Sequence, residues 1–327
     1  MRHFLPTAIA LAALALAGCA KAPLAALSAT ALPAPEAAER TLLAVPGRQA
    51  LGSIAERQAT VVRDVRYGRH AEQALDVYGT RERGARRPVV VWVHGGGWRL
   101  GDKANRLEAK RAYFKALGCV LVSVNYRLAD PALPVGRRPM HPDQIRDVCA
   151  AIGWVKRNIA VHGGDPGSIV LMGHSAGGHL VSLAGTHPRY LAEAVGREGL
   201  GALKGVISVD TACYDLTTPQ GPKVEAMVVN AFGTERAVRR DASPLFQVAS
   251  GRQTPPFLVF VQGSASRVAE ARAFHNATRR ADPRQGGDRL EVVPGYNHMA
   301  INNAIGQPGE TKVTPTITAF LRGVFGR

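Results

Sequence analysis

The chain has 327 residues, 46% of them hydrophobic and 20% charged, which excludes a disordered polymer and suits one large α/β domain with a single core. Lys and Arg number 41 against 25 Asp and Glu, a formal net charge of +16. The basic residues are scattered, as at Arg81, Arg83, Arg86 and Arg87, at Arg137 and Arg138, at Arg239 and Arg240 and at Arg279 and Arg280, and aromatics make up only 6%, so a nucleic-acid partner is not expected.

In chain order, residues 1–18 combine a basic start at Arg2, a short apolar run and a small-residue end, the pattern of a signal peptide. Leu16-Ala17-Gly18-Cys19 resembles the bacterial lipobox. That resemblance implies lipidation at Cys19 and a protein anchored to a membrane of the bacterial cell envelope, outside the cytoplasm. Residues 19–58 are rich in Ala and Pro without an amphipathic period, as expected of a tether leading to a domain over 59–327. With Cys19 lipidated, Cys119, Cys149 and Cys213 are an odd number of thiols in apolar contexts, and no disulfide framework is expected.

From about residue 59 the pattern is strand, strand, then alternating strand and helix. TVVRDVRYG (60–68) and QALDVYG (73–79) alternate like short strands. PVVVWVH (88–94), CVLVSVNY (119–126), SIVLMG (168–173), GVISVD (205–210), FLVFVQ (257–262) and RLEVVPG (289–295) are continuous apolar runs, the mark of strands buried on both faces. The clearest helix spans Asp143 to Ile159, with Ile145, Val148, Cys149, Ile152, Val155 and Ile159 on one stripe. A last helix is expected from Pro315 to Val324, and residues 186–245 could supply a small cap. Eight strands in a mostly parallel sheet with helices on both faces place the site at the carboxyl ends of the strands.

Two motifs fall at such strand ends. Gly173-His174-Ser175-Ala176-Gly177 is a G-x-S-x-G between an apolar strand and a helix-compatible segment, Ala176 to Ala184. That context makes Ser175 a nucleophile on a strained turn at a helix amino end, where developing negative charge is favoured. His94-Gly95-Gly96-Gly97-Trp98 follows another buried strand. Glycines there let N–H groups approach a substrate oxygen, so Gly96 and Gly97, with Ala176, are the expected oxyanion donors, and His94 is expected to brace the loop. His298, in a loop beyond LEVV, is the expected general base. His174 and His179 lie too near Ser175 in sequence for that role. Asp102, Lys103, Asp147, Asp165 and Asp215 all have turn, cap or helix readings. Neither a Cys/His metal spacing nor a nucleotide-binding glycine motif occurs, so no metal and no cofactor is expected.

Taken in order, HGGGW, GDK (101–103), VSVNYRLAD (122–130), GGDP (163–166), GHSAGGHL and PGYNH make the chain resemble the α/β-hydrolase superfamily. The likeness is strongest to hormone-sensitive-lipase-like carboxylesterases and the bacterial feruloyl-esterase-like branch. It covers residues 59–325 and implies a serine carboxylesterase acting on a small-molecule ester, with Ser175 as nucleophile, His298 as base and Gly96, Gly97 and Ala176 as the oxyanion hole. The HGGxW loop and the strand Leu75-Asp76-Val77-Tyr78 also resemble kynurenine formamidases, which leaves an arylformamidase as an alternative. The superfamily pattern after the seventh strand, H-G-x-x-D-x-x-V, lays its first histidine on Gln262 and its aspartate on Ser266. Serine cannot orient an imidazole or offset its charge as a carboxylate does. Three outcomes stay open: Asp210, the first choice, ends the preceding strand; Glu270 could reach back; or the site has no acid and is weakly active or a binding homologue.

Overall fold

A computed structural model describes residues 59–326 apart from 81, 83, 85, 220, 249–252, 284 and 285. The signal segment, Cys19 and the tether lie outside the described residues. Eight strands form one sheet: β1 (Ala59–Arg66), β2 (Ala74–Thr80), β3 (Arg87–Val93), β4 (Val120–Val124), β5 (Gly164–His174), β6 (Gly205–Val209), β7 (Phe257–Val261) and β8 (Arg289–Val292). Their order is β1-β2-β4-β3-β5-β6-β7-β8. β2 runs antiparallel to both β1 and β4, and every pair from β4 to β8 is parallel. The carboxyl ends of β3, β5, β6, β7 and β8 therefore meet along one edge.

Strand alternation divides the apolar residues between two faces. Val89, Val91 and Val93 of β3 with Ile169 and Leu171 of β5 pack on one side. Val90, Trp92, Val170 and Met172 pack on the other. The first face is covered by α2 (Asp143–Asn158), α3 (Ala176–Thr186) and α8 (Ala265–Ala281), which contribute Ile145, Val148, Leu180, Leu183 and Phe274. The second is covered by α1 (Glu108–Ala116), α9 (His298–Ala304) and α10 (Val313–Phe325), which contribute Phe114, Ile301, Ile317 and Phe320. Each fully buried Val, Leu or Phe contributes roughly 1.5–3 kcal/mol. The α/β-hydrolase sheet with helices on both faces is the architecture that the sequence implied.

Element ends moved slightly. Asp143 starts α2 as expected, but the α-helix stops at Asn158 and Ile159 opens a 3₁₀ turn. The last helix begins two residues earlier than expected, because the Glu310 carboxylate accepts from the backbone N–H groups of Lys312, Val313 and Thr314, which have no acceptors within the helix. Cys119, Cys149 and Cys213 are buried thiols.

The region expected to hold a cap contains α4 (Pro188–Val195) and the core strand β6. Only its later part is an insertion: α5 (Pro222–Phe232), α6 (Arg236–Asp241) and α7 (Pro244–Gln247), between β6 and β7. Asp241 fastens the insertion to the body, accepting from Tyr190 Oη at 2.5 Å and lying 2.8 Å from His141 Nε2 and 3.2 Å from His187 Nε2. The His141 bond, opposed by burial and joined by bonds from Tyr190 and His187, holds the Asp241 carboxyl far below the usual carboxylate range.

Candidate active site

Ser175 stands between β5 and α3 with φ 56° and ψ −121°, a backbone region that side-chain-bearing residues rarely adopt. Its N–H donates to the Val209 carbonyl at 2.9 Å, and its own carbonyl accepts from His179 N at 3.0 Å. The flanking glycines are required by contact. A Cβ on Gly173 would lie 2.3 Å from the Gly177 carbonyl oxygen, and one on Gly177 would lie 2.1 Å from that of Val93. The turn is therefore held by the sheet below it, and Oγ is presented at the strand end.

His298 opens α9 rather than lying in a loop, because Asn297 caps that helix: its side chain accepts from Met299 N at 3.0 Å and Ala300 N at 2.8 Å. The imidazole sits between two partners, with Nε2 2.9 Å from Ser175 Oγ and Nδ1 2.6 Å from Asp210 Oδ2. His174 supports this placement from below, its ring 4.6 Å from that of His298 and its Nε2 2.8 Å from the His298 carbonyl. Burial, reinforced by the neighbouring His298, pushes His174 down to about 3, so it stays neutral and donates from Nε2. Lys110, 1% exposed, fastens the far end of α9 by donating to the Asn302 carbonyl at 3.0 Å; burial and the nearby Arg106 push it down to about 8.

Asp210 follows β6 at φ 51°, and its N–H donates to the Phe260 carbonyl at 2.9 Å. Its side chain is 0% exposed yet fully partnered. Oδ1 accepts from Gln262 N at 3.1 Å and Arg267 NH2 at 2.8 Å; Oδ2 accepts from Gln262 Nε2 at 2.8 Å and faces His298. Burial alone would raise the carboxyl, but the His298 bond, the Arg267 charge and the Gln262 bond carry it below its ordinary value. An ionised Asp210 thus fixes the proton of His298 on Nδ1 and leaves Nε2 free to accept from Ser175.

The rival acid is engaged elsewhere. Glu270 Oε1 accepts from the backbone N–H groups of Tyr214 and Asp215 at 2.8 and 2.9 Å, which ties down the chain leaving β6. Asp215 closes its own turn by accepting from Thr217 and Thr218. Ser266 is exposed and bonded to Ser264 at 2.8 Å. Its occupation of the usual acid position does not leave the histidine without a carboxylate.

The glycine turn after β3 lies against the elbow. Gly96 (φ 122°) accepts from Arg99 N and Leu100 N, and a Cβ there would lie 2.0 Å from the Leu100 carbonyl oxygen. Gly97 (φ 59°) and Ala176 share with Ser175 the wall of a cavity of about 310 Å³, also lined by Trp98, Cys213, Val224 and Met227. A Cβ on Gly97 would lie 2.3 Å from Met227 Sδ, so the insertion closes down on the turn. His94 braces the turn as expected: it is buried, stacks on Tyr126 with centroids 4.6 Å apart, and has Nδ1 2.8 Å from the Gly95 carbonyl. Trp98 Nε1 donates to His179 Nδ1 at 3.2 Å. Burial pushes His179 down to about 3, so its other nitrogen carries the proton and donates to Ala242 O at 2.8 Å. Asp102 and Lys103 turn away from the cavity, Asp102 to Asn125 and Lys103 to Asp64 and Asp76.

Sequence reasoning missed three residues: Gln262 and Arg267, which surround Asp210, and Met227 over the glycines. The motif mismatch at Gln262 was the only signal pointing to the first two. Among the described residues no cluster of three or more His, Cys, Asp or Glu is arranged to hold a metal ion, and no helix is long and apolar enough to cross a membrane.

Residues 75–273 match the BD-FAE family model. Esterase LipC of Mycobacterium tuberculosis is 35% identical over 262 residues, 76% of this chain and 62% of that protein. The probable carboxylic ester hydrolase LipM of the same organism is 33% identical over 215 residues, 63% of this chain and 46% of that protein. The chain thus spans about half to three-fifths of the length of these curated relatives. Among solved structures, esterase B from Lactobacillus rhamnosis superposes with a TM-score of 0.65 at 20% identity, covering 85% of this chain and 95% of that one. A truncated carbohydrate esterase from gut microbiota superposes with a TM-score of 0.64 at 20% identity, covering 83% and 98%. At these identities the two structures share the fold of this chain.

Proposed function

The chain belongs to the BD-FAE family of α/β-hydrolases, and from that premise we propose that it is a serine carboxylesterase working through an acyl-enzyme on Ser175. One observation carries the reading: Ser175 Oγ, His298 and Asp210 stand in a hydrogen-bonded line at 2.9 and 2.6 Å beside a cavity. Ser175 Oγ attacks the ester carbonyl while His298 Nε2 takes its proton. The N–H groups of Gly97 and Ala176, with that of Gly96, hold the oxygen that becomes negative. His298 then protonates the leaving alcohol, and a water activated by the same nitrogen releases the acid. Asp210 keeps the imidazole in the working tautomer and offsets its transient positive charge. A cavity of about 310 Å³ is at the small end of ligand sites and favours a modest acyl group.

Initial rates on an aryl acetate and on a formyl anilide, measured in parallel, test the bond cleaved. The ester is expected to turn over at least about tenfold faster in kcat/KM, a transition-state difference of about 1.4 kcal/mol. A preference for the anilide would contradict the esterase assignment.

We further propose that the enzyme is a lipoprotein of the bacterial cell envelope, tethered through Cys19. The support is the Leu16-to-Cys19 sequence and the Ala/Pro-rich stretch after it. Cys19→Ser is expected to move the protein from the membrane pellet to the soluble fraction. Unchanged sedimentation with membranes would overturn the anchor.

A further inference from the structure

The loop after β7 has lost the carboxylate that resemblance places at residue 266, yet it still converges on the site. Gln262 and Arg267, five residues apart in that loop and the first turn of α8, both reach Asp210. We propose that Arg267 is a positioning residue for the hydrolysis: its guanidinium holds Asp210 ionised and oriented so that Oδ2 meets His298 Nδ1. This rests on the esterase reading above.

The geometry supplies three reasons. First, Asp210 is 0% exposed, and a buried carboxylate stays charged only if donors and a counter-charge replace water. Gln262 gives two neutral bonds; Arg267, at 2.8 Å from Oδ1, gives a full positive charge. Second, the guanidinium is fixed at two further points. Nε donates to the Gln262 carbonyl at 3.0 Å, and NH2 reaches the Asp210 carbonyl at 3.3 Å. A planar fork spanning both residues sets their separation, which a single ammonium cannot do. Third, Asp210 sits at φ 51°, and the bond to its own carbonyl helps hold that uncommon backbone conformation.

Two further titratable groups, His174 from β5 and Tyr214 beyond β6, act on the Asp210–His298 pair. Burial holds His174 neutral and raises the Tyr214 phenol, so neither offsets the carboxylate. Removing the Arg267 charge leaves the buried Asp210 without its counter-charge, so the carboxyl takes up a proton at higher pH and releases its hold on the His298 proton. The acidic limb of the rate then moves to higher pH, because Asp210 must be ionised to hold the His298 proton on Nδ1.

The test is kcat, KM and the pH profile of aryl acetate hydrolysis for wild type, Arg267→Met, Arg267→Lys, Asp210→Asn and the Asp210→Asn/Arg267→Met double variant, with melting temperatures. Arg267→Met is expected to lose about 10- to 100-fold in kcat with KM within about threefold and its acidic limb displaced upward. Arg267→Lys recovers the charge but not the fork, so its acidic limb stays at the wild-type position while its kcat falls between those of Arg267→Met and wild type. The double variant is no slower than Asp210→Asn alone, since Arg267 acts through that carboxylate. Arg267→Met with wild-type kcat and limb, Arg267→Lys no better than Arg267→Met at equal melting temperature, or additive losses would each overturn the proposal. If Arg267→Met does not fold, Arg267→Gln, which keeps a planar donor and removes the charge, decides by the same pH profile. A wild type that hydrolyses no ester contradicts the esterase reading; an active wild type beside an unaffected Arg267→Met contradicts this inference alone.

Discussion

Asp210→Asn is expected to lower kcat for a short-chain aryl ester by about 10⁴ at neutral pH while leaving the protein folded. Asparagine keeps the shape of the side chain, but with no charge it ceases to hold the His298 proton on Nδ1. Its amide can present a donor there, and the imidazole then carries its proton on Nε2, the nitrogen that faces Ser175 Oγ at 2.9 Å. A protonated Nε2 cannot act as base. The substitution also leaves Arg267, now 2.8 Å from a carboxylate oxygen, without its counter-charge. Because the folded-state pKa of Asp210 lies below its ordinary value, its charged form stabilises the fold at pH above the usual carboxylate range. That contribution disappears as pH falls through the depressed value, and the variant lacks it throughout. The control is Glu270→Gln, whose Oε1 still accepts from Tyr214 N and Asp215 N, and which should stay within about threefold of wild type. If Glu270→Gln falls as far as Asp210→Asn, the acid is misassigned.

Ser175→Ala is expected to remove essentially all turnover, a loss of about 10⁶ in kcat. Losing Oγ removes the atom to which the acyl group transfers, and neither the glycine turn nor His298 can replace it. The fold should hold, since the bonds that fix the elbow run from the backbone, Ser175 N to Val209 O at 2.9 Å and His179 N to Ser175 O at 3.0 Å. Ester hydrolysis at the wild-type rate by a correctly folded variant would show that another group carries the chemistry.

Much of this site was legible because its requirements are local. Gly173 and Gly177 are glycines because a Cβ at either would meet backbone oxygen within 2.3 Å, so the elbow announces itself in five residues. The buried parallel strands are equally plain, since residues such as Val89 to Val93 face helices on both sides and must be apolar throughout. His298 was chosen for its place just beyond LEVV together with chain order. Asp210 was a choice among carboxylates that spacing could not decide. What brings it to His298 is register: Val209 pairs with Phe260, so the residue after β6 lies beside Gln262 at the end of β7. The same register brings Arg267 within reach, a contact across 57 residues that no local pattern carries. Met227 depends on a still longer chain of causes, because the insertion that delivers it is fastened by Asp241 to His141, His187 and Tyr190. The cap limits were unclear for a related reason: β6, a core strand, lies inside the stretch that also contains the insertion.

The most direct measurement of the central claim is covalent labelling by an aryl fluorophosphonate, followed by mass mapping of the adduct. Such a reagent transfers its phosphoryl group only to a serine whose proton is being taken, so it reads the Ser175–His298–Asp210 line at 2.9 and 2.6 Å without presuming any substrate. The predicted result is one adduct per chain on Ser175, formed rapidly by wild type and slowly by Asp210→Asn. An unlabelled wild-type protein, or an adduct carried by a different residue, would contradict the account.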